Sequence, residues 1–174
     1  MTVLALLALG IAAVSPLVLT ARVPAWVSPA VGVVSLAVAA LAATGAAPVS
    51  GFALGATLVV CVAASATGGA PLVLAAFRVA RREHDSGEPA PEQASPDPGP
   101  LRGGRIIGLL ERTAVAVAIL AAWPEGIAVV LAVKGLARYP ELREPNASEQ
   151  FIIGTFTSVL WALAVCGTGR ALIT

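Results

Sequence analysis

Three charged residues of this chain interrupt apolar runs: Glu111 and Arg112 within Ile106 to Trp123, and Lys134 within Ile127 to Arg138. A charge at the centre of a membrane helix costs about 2.5–3.5 kcal/mol on insertion scales, so such residues mark a site by default. With Arg105 and Tyr139 taken as the two helix ends, Glu111 lies six residues in and Lys134 five. At about 1.5 Å per residue, both sit roughly 8–9 Å deep. Two antiparallel helices joined by a turn at Pro124-Glu125-Gly126 bring the acid and the lysine to one level. Arg112 is one residue on, about 100° round the helix, and does not fully share the face of Glu111. Arg138 lies one turn below Lys134.

Two kinds of chemistry fit this cluster. In one, Glu111 and Lys134 form an ion pair that locks the hairpin, with Arg112 and Arg138 snorkelling to lipid phosphates. In the other, the residues line a polar pocket open to the cytoplasm that takes a small anion, an anionic lipid headgroup or a transported ion. The set Arg105, Arg112, Lys134 and Arg138 outweighs Glu111, so an anionic partner is favoured over a cation. A small transporter, channel or transport accessory is the leading function class. A membrane-embedded enzyme or binder of a lipid phosphate, held by the same basic residues, is the second. A structural or assembly partner of a membrane complex is the third.

The elements that must position these residues read as membrane helices. Apolar residues make up 57% of the 174 and charged residues 12%, against about 45–50% and 25% in soluble domains. Mean hydropathy is +0.88. Residues 1–77 carry one charge, Arg22, and all ten acids lie at or beyond Glu83. About 20 apolar residues of helix cross a hydrocarbon core, and the runs lack the alternation of a barrel strand. The fold class expected is all-α, a polytopic transmembrane bundle of about six segments, or five if 126–139 is re-entrant.

The apolar runs cover 2–20, 26–44, 49–80, 106–123, 127–138 and 151–168. The third contains Ser65-Ala66-Thr67-Gly68-Gly69-Ala70-Pro71, which suits a kink or a short unwound stretch, although a helix that bends or tilts to absorb its length is the favoured reading. Residues 83–101 hold five prolines and five acids and cannot bury enough surface to order themselves. They read as a disordered linker between a three-helix half, 1–82, and a half with embedded charges, 102–174. Asn146, with Glu149 three residues on, resembles a helix N-cap with a reciprocal acid.

Arg78, Arg81, Arg82, Arg102 and Arg105 flank the linker and place it in the cytoplasm by the positive-inside rule. Arg22 then falls inside, and both termini fall outside. The two halves start on opposite faces, as in an inverted repeat, without sequence similarity between them. Met1-Thr2-Val3-Leu4 lacks a basic n-region, so no cleaved signal peptide is expected.

Small residues at four-residue spacing predict close helix contacts: Gly104 with Gly108, and Gly154, Ser158, Ala162 and Cys166 along the last helix. Such stripes also suit a homo-oligomer. Trp26, Trp123 and Tyr139 fall at predicted helix ends, as interfacial aromatics do. Cys61 and Cys166 read as small buried residues. No zinc spacing, P-loop or dinucleotide fingerprint is present, so no metal or cofactor is expected. A net charge of +1 gives no basic field for nucleic acid. Membrane lipids are the expected surroundings.

The block Gly104 to Arg112, with Gly126-Ile127, Ala132 to Arg138 and Ile153-Gly154-Thr155, resembles the C-terminal part of an uncharacterised family of small bacterial multi-pass membrane proteins. The resemblance covers about the last 70 residues. It implies a bacterial inner-membrane location and a shared site at Glu111, Arg112 and Lys134, and no reaction. The Ala- and Arg-rich, Lys-poor composition suits a high-GC bacterium.

Overall fold

The computed structural model describes residues 1–18, 23–85 and 104–174. Among them there are six α-helices and no strand: α1 Thr2–Val18, α2 Val27–Thr44, α3 Phe52–Asp85, α4 Gly104–Leu120, α5 Glu125–Arg138 and α6 Pro145–Ile173. A single 3-10 turn, Glu141–Arg143, precedes α6. Three helices contain stretches long and apolar enough to cross a membrane: Val27–Thr44, Phe52–Arg82 and Ala147–Ile173. The apolar α1 has 17 residues, about 26 Å. The charged α4 also has 17, and α5 has 14, roughly 20 Å.

Several boundaries differ from the sequence expectation. The stretch from Ser65 to Pro71 does not unwind: α3 is helical throughout, with Pro71 inside it. Proline removes the donor to the carbonyl four residues back, here Thr67, and tertiary hydrogen bonds around this stretch offset the loss. The helix also runs to Asp85, three residues into the expected linker. The rest of that segment, 86–101, lies outside the described residues, as do Arg22 and Arg102, two of the basic residues that set the expected orientation.

Asn146 is not the cap of α6. The helix begins at Pro145, with Glu144 extended before it and no side-chain cap hydrogen bond. Proline suits the first helical position because its missing N–H needs no partner there, and this moves the start ahead of Asn146. The turn between α4 and α5 likewise falls earlier than Pro124-Glu125-Gly126, since Glu125 already opens α5. Ala122 adopts φ 56°. Its N–H donates to the Ile119 carbonyl at 3.1 Å, and the Trp123 N–H donates to the Ala118 carbonyl at 2.9 Å. These two bonds close the helix end as a Schellman motif, with alanine where glycine is usual.

The core is built of small residues. Ala5, Leu9, Ala12, Ala39, Cys61, Ala64, Ala116, Val165 and Cys166 are buried together. The central α3 packs against α1, α4 and α6, so the two halves of the chain share one core. Leu7, Leu17, Leu41, Phe52, Val59, Leu136, Phe156 and Leu160 point outward and are exposed. Large apolar side chains outside and alanines inside suit a lipid surround.

Contacts also group the helix ends. The Val49 N–H donates to the Leu172 carbonyl at 2.8 Å, and a Cβ on Gly45 would stand 3.7 Å from Met1 Cγ. The first residue, the α2–α3 loop and the end of α6 therefore meet at one end of the bundle. At the other, Arg78 Nη1 donates to the Ala25 carbonyl at 3.4 Å.

Candidate functional site

The hairpin of α4 and α5 brings the embedded acid and lysine together. Lys134 Nζ lies 2.5 Å from Glu111 Oε2, each side chain 21% exposed. Lys134 also stands 5.8 Å from the centre of the Phe151 ring on α6, within cation–π range. Rise per residue alone puts the two residues at one level, and the observed pair agrees.

Arg112 behaves differently from the snorkelling expectation. It is only 7% exposed and reaches inward to α3 and α6. Its Nε donates to the Ala66 carbonyl at 2.8 Å, and its Nη1 reaches Ser158 Oγ on α6 at 3.4 Å. The Ser65 hydroxyl in turn donates to the Arg112 carbonyl at 3.4 Å. The 100° step that takes Arg112 off the face of Glu111 aims it at the glycines of α3. A Cβ on Gly69 would stand 2.6 Å from Arg112 Cδ, and one on Gly108 would stand 3.3 Å from its Nη1. The guanidinium is held in a notch that larger residues would fill.

Gly108 therefore does not form a seam with a neighbouring helix, as its spacing from Gly104 suggested. It clears space for an arginine of its own helix, while no described neighbour lies within 4 Å of a Cβ on Gly104. Along the stripe on α6, a Cβ on Gly154 would stand 3.1 Å from Phe77 Cζ on α3, and Ser158, Ala162 and Cys166 are buried. Cys61 and Cys166 are both free and fully buried. Arg138 occupies the last turn of α5 and is exposed. Arg105 lies in the first turn of α4, and its side chain is outside the described set.

A cavity of about 10 Å³ lies between α4, α5 and α6, near the smallest space that holds one water, about 10–15 Å³. Its polar lining is Glu111, Arg112, Lys134, Thr155 and Ser158, closed by valines and Leu131. Thr155 is 6% exposed, and its hydroxyl has no hydrogen-bond partner among the described residues. Buried hydroxyls are normally paired, so this one has capacity for something in the cavity. Two cations face the space against one acid, and no carboxylate lies within ion-pair distance of Arg112 among the described residues.

Thr155 and Trp161 escaped the sequence reading as site residues. The buried Trp161 donates from Nε1 to the Ala64 carbonyl at 3.0 Å and fills the space above Gly68. Adjacent glycines in an apolar helix were the available signal, since they admit bulky side chains from elsewhere. Among the described residues, no group of three His, Cys, Asp or Glu is placed to hold a metal. Comparisons with protein-family models, curated proteins and solved structures find no match to this chain.

Proposed function

We propose that this chain is a six-segment helical protein of a bacterial plasma membrane. In this reading the cavity between α4, α5 and α6 binds a small anion, in the service of transport as a small carrier, channel or accessory. The shorter α1, α4 and α5 complete the segments beside the three long helices. The end carrying Arg78 and Arg143 faces the cytoplasm by the positive-inside rule, and the termini face outward. Membership of the family that the C-terminal block resembles belongs to the same proposal.

One observation carries the anion reading. Arg112 is buried at the cavity with only neutral acceptors, next to an acid already paired with a lysine. A buried charge is ordinarily paired or coordinated, and an anion beside Arg112, Ser158 and Thr155 would supply the missing partner. The volume suits a monoatomic anion or a single water and is far below the roughly 300 Å³ of a typical ligand pocket. That disfavours a lipid phosphate as occupant. The rival structural reading, in which Arg112 simply pins α4 to α3 and α6, is favoured by the close fit of its notch.

Thermal unfolding of the purified chain in chloride and in gluconate, at equal ionic strength, separates the two. Chloride at ten times its Kd should add about 1.4 kcal/mol by mass action. Arg112→Gln and Thr155→Val should each abolish the increment. Equal stability in both salts would leave the structural reading.

A further inference from the structure

We propose a second binding site, for one anionic phospholipid, in the groove where the ends of α4, α5 and α6 meet. The groove has a volume of about 330 Å³, within the range of ligand sites at about 300–1,000 Å³. Ile119, Trp123, Pro124, Ile127 and Leu163 form its apolar walls, and Arg170 is the charged residue among its lining. Arg170 Nη1 donates to the Ile119 carbonyl at 3.2 Å, a helix-end oxygen that also receives the Ala122 N–H. This bond fixes the guanidinium at the wall of the groove and leaves its remaining donors for another acceptor.

The groove is two-ended in the way a phospholipid is. Trp123 is 54% exposed at the α4–α5 turn, the position of an interfacial aromatic. Arg170 lies in the last turn of α6, at headgroup level if α6 spans, while Leu163 lies two turns deeper for an acyl chain. Guanidinium binds phosphate through two parallel donors.

The sign of the headgroup follows from the lining. No described acid lines the groove, and no described carboxylate pairs with Arg170. Glu125, the nearest acid in sequence, opens α5, where the helix dipole favours it. A choline or ethanolamine cation would meet arginine and no described acid there, with only the Trp123 ring to favour it, so a lipid of net negative charge is preferred to a zwitterionic one. Ile119 is eight residues from Glu111 along α4, roughly 12 Å, so this site and the anion cavity stand or fall separately.

Tryptophan quenching by brominated lipids tests the proposal on the full chain in vesicles. The variant Trp26→Phe removes the other exposed indole and leaves Trp123 and the buried Trp161. Dibrominated phosphatidylglycerol, as a minor component in phosphatidylcholine, should quench at least threefold more than dibrominated phosphatidylcholine at the same fraction. The excess should vanish with Trp123→Phe and fall to near parity with Arg170→Gln. Equal quenching by the two lipids in the Trp26→Phe variant would overturn the proposal without any change at Arg170. A preference that survives Arg170→Gln, in protein of unchanged circular dichroism, would overturn the role of Arg170.

Discussion

Removing one partner of the Glu111–Lys134 pair should cost different amounts according to which partner goes. Glu111→Gln leaves Lys134 and Arg112 as two cations with no acid beside them. Lys134→Met leaves Glu111 next to Arg112 in the chain, so one acid still faces one cation. The double variant returns to a single cation, Arg112, in its notch. At an effective dielectric of about 20, two unit charges 4 Å apart attract by about 4 kcal/mol. Both side chains are 21% exposed, and the order imposed on two long side chains offsets part of that gain. We therefore expect Glu111→Gln to cost roughly 2–3 kcal/mol, and Lys134→Met about 1, below the 3–5 found on breaking fully buried pairs. The double variant should lie within about 1 kcal/mol of the wild type, a coupling of at least about 2 kcal/mol. Reversible unfolding in mixed micelles, followed by circular dichroism, measures all four corners. A coupling below about 0.5 kcal/mol would mean that the two side chains do not depend on each other in the membrane. A cost for Lys134→Met equal to that for Glu111→Gln would show that Arg112 does not sense the acid.

Three further outcomes follow from particular geometries. Ala122→Gly should stabilise the protein by about 1 kcal/mol in the same unfolding assay, because a left-handed conformation strains alanine and not glycine. Gly68→Ala should destabilise by roughly 1–3 kcal/mol and shift the tryptophan emission. Its Cβ would stand 2.8 Å from Trp161 Cε2, in an indole fixed by the bond to Ala64. In intact cells, cysteines placed at Ala47 and Glu125 should react with an impermeant thiol reagent and one at Arg143 should not. Cys61 and Cys166, fully buried, should stay silent throughout.

The ion pair was legible because its two facts, charge type and depth, are both local: a residue count multiplied by a helical rise places each end. Arg112 was not legible by the same arithmetic. Its partner carbonyl belongs to Ala66, 46 residues earlier, and no spacing within α4 points there. The Gly104–Gly108 pair shows the converse error, a correct motif spacing whose second glycine serves a side chain of its own helix. On α6 four small residues repeat over about three turns and so define a face, where two glycines define only a distance. The misplaced cap at Asn146 has a local cause as well, since Pro145 starts the helix two residues sooner.

The stretch Ser65 to Pro71 shows why a sequence that looks like a broken helix need not be one. Proline and two glycines weaken a helix that stands alone, by a lost hydrogen bond and by backbone entropy. Here the same residues let three other helices come close enough to bond to the stretch. Trp161 from α6 donates to Ala64, and Arg112 from α4 donates to Ala66. The Thr67 hydroxyl reaches the Ala13 carbonyl on α1 at 2.7 Å and that of Ala63 at 2.8 Å, so its one proton serves two acceptors. In a lipid surround, where helices gain little by hiding apolar area from each other, close packing and such bonds are what hold a bundle together. The weakest segment of α3 taken alone is thus the one to which α1, α4 and α6 are all tied. This ties the charge of Arg112 to the fold: its cost is borne by a notch that three helices hold open. An arginine replaced by an apolar residue of equal length should then disturb α4 less than a Cβ added at Gly69, which would close the notch while the charge remained.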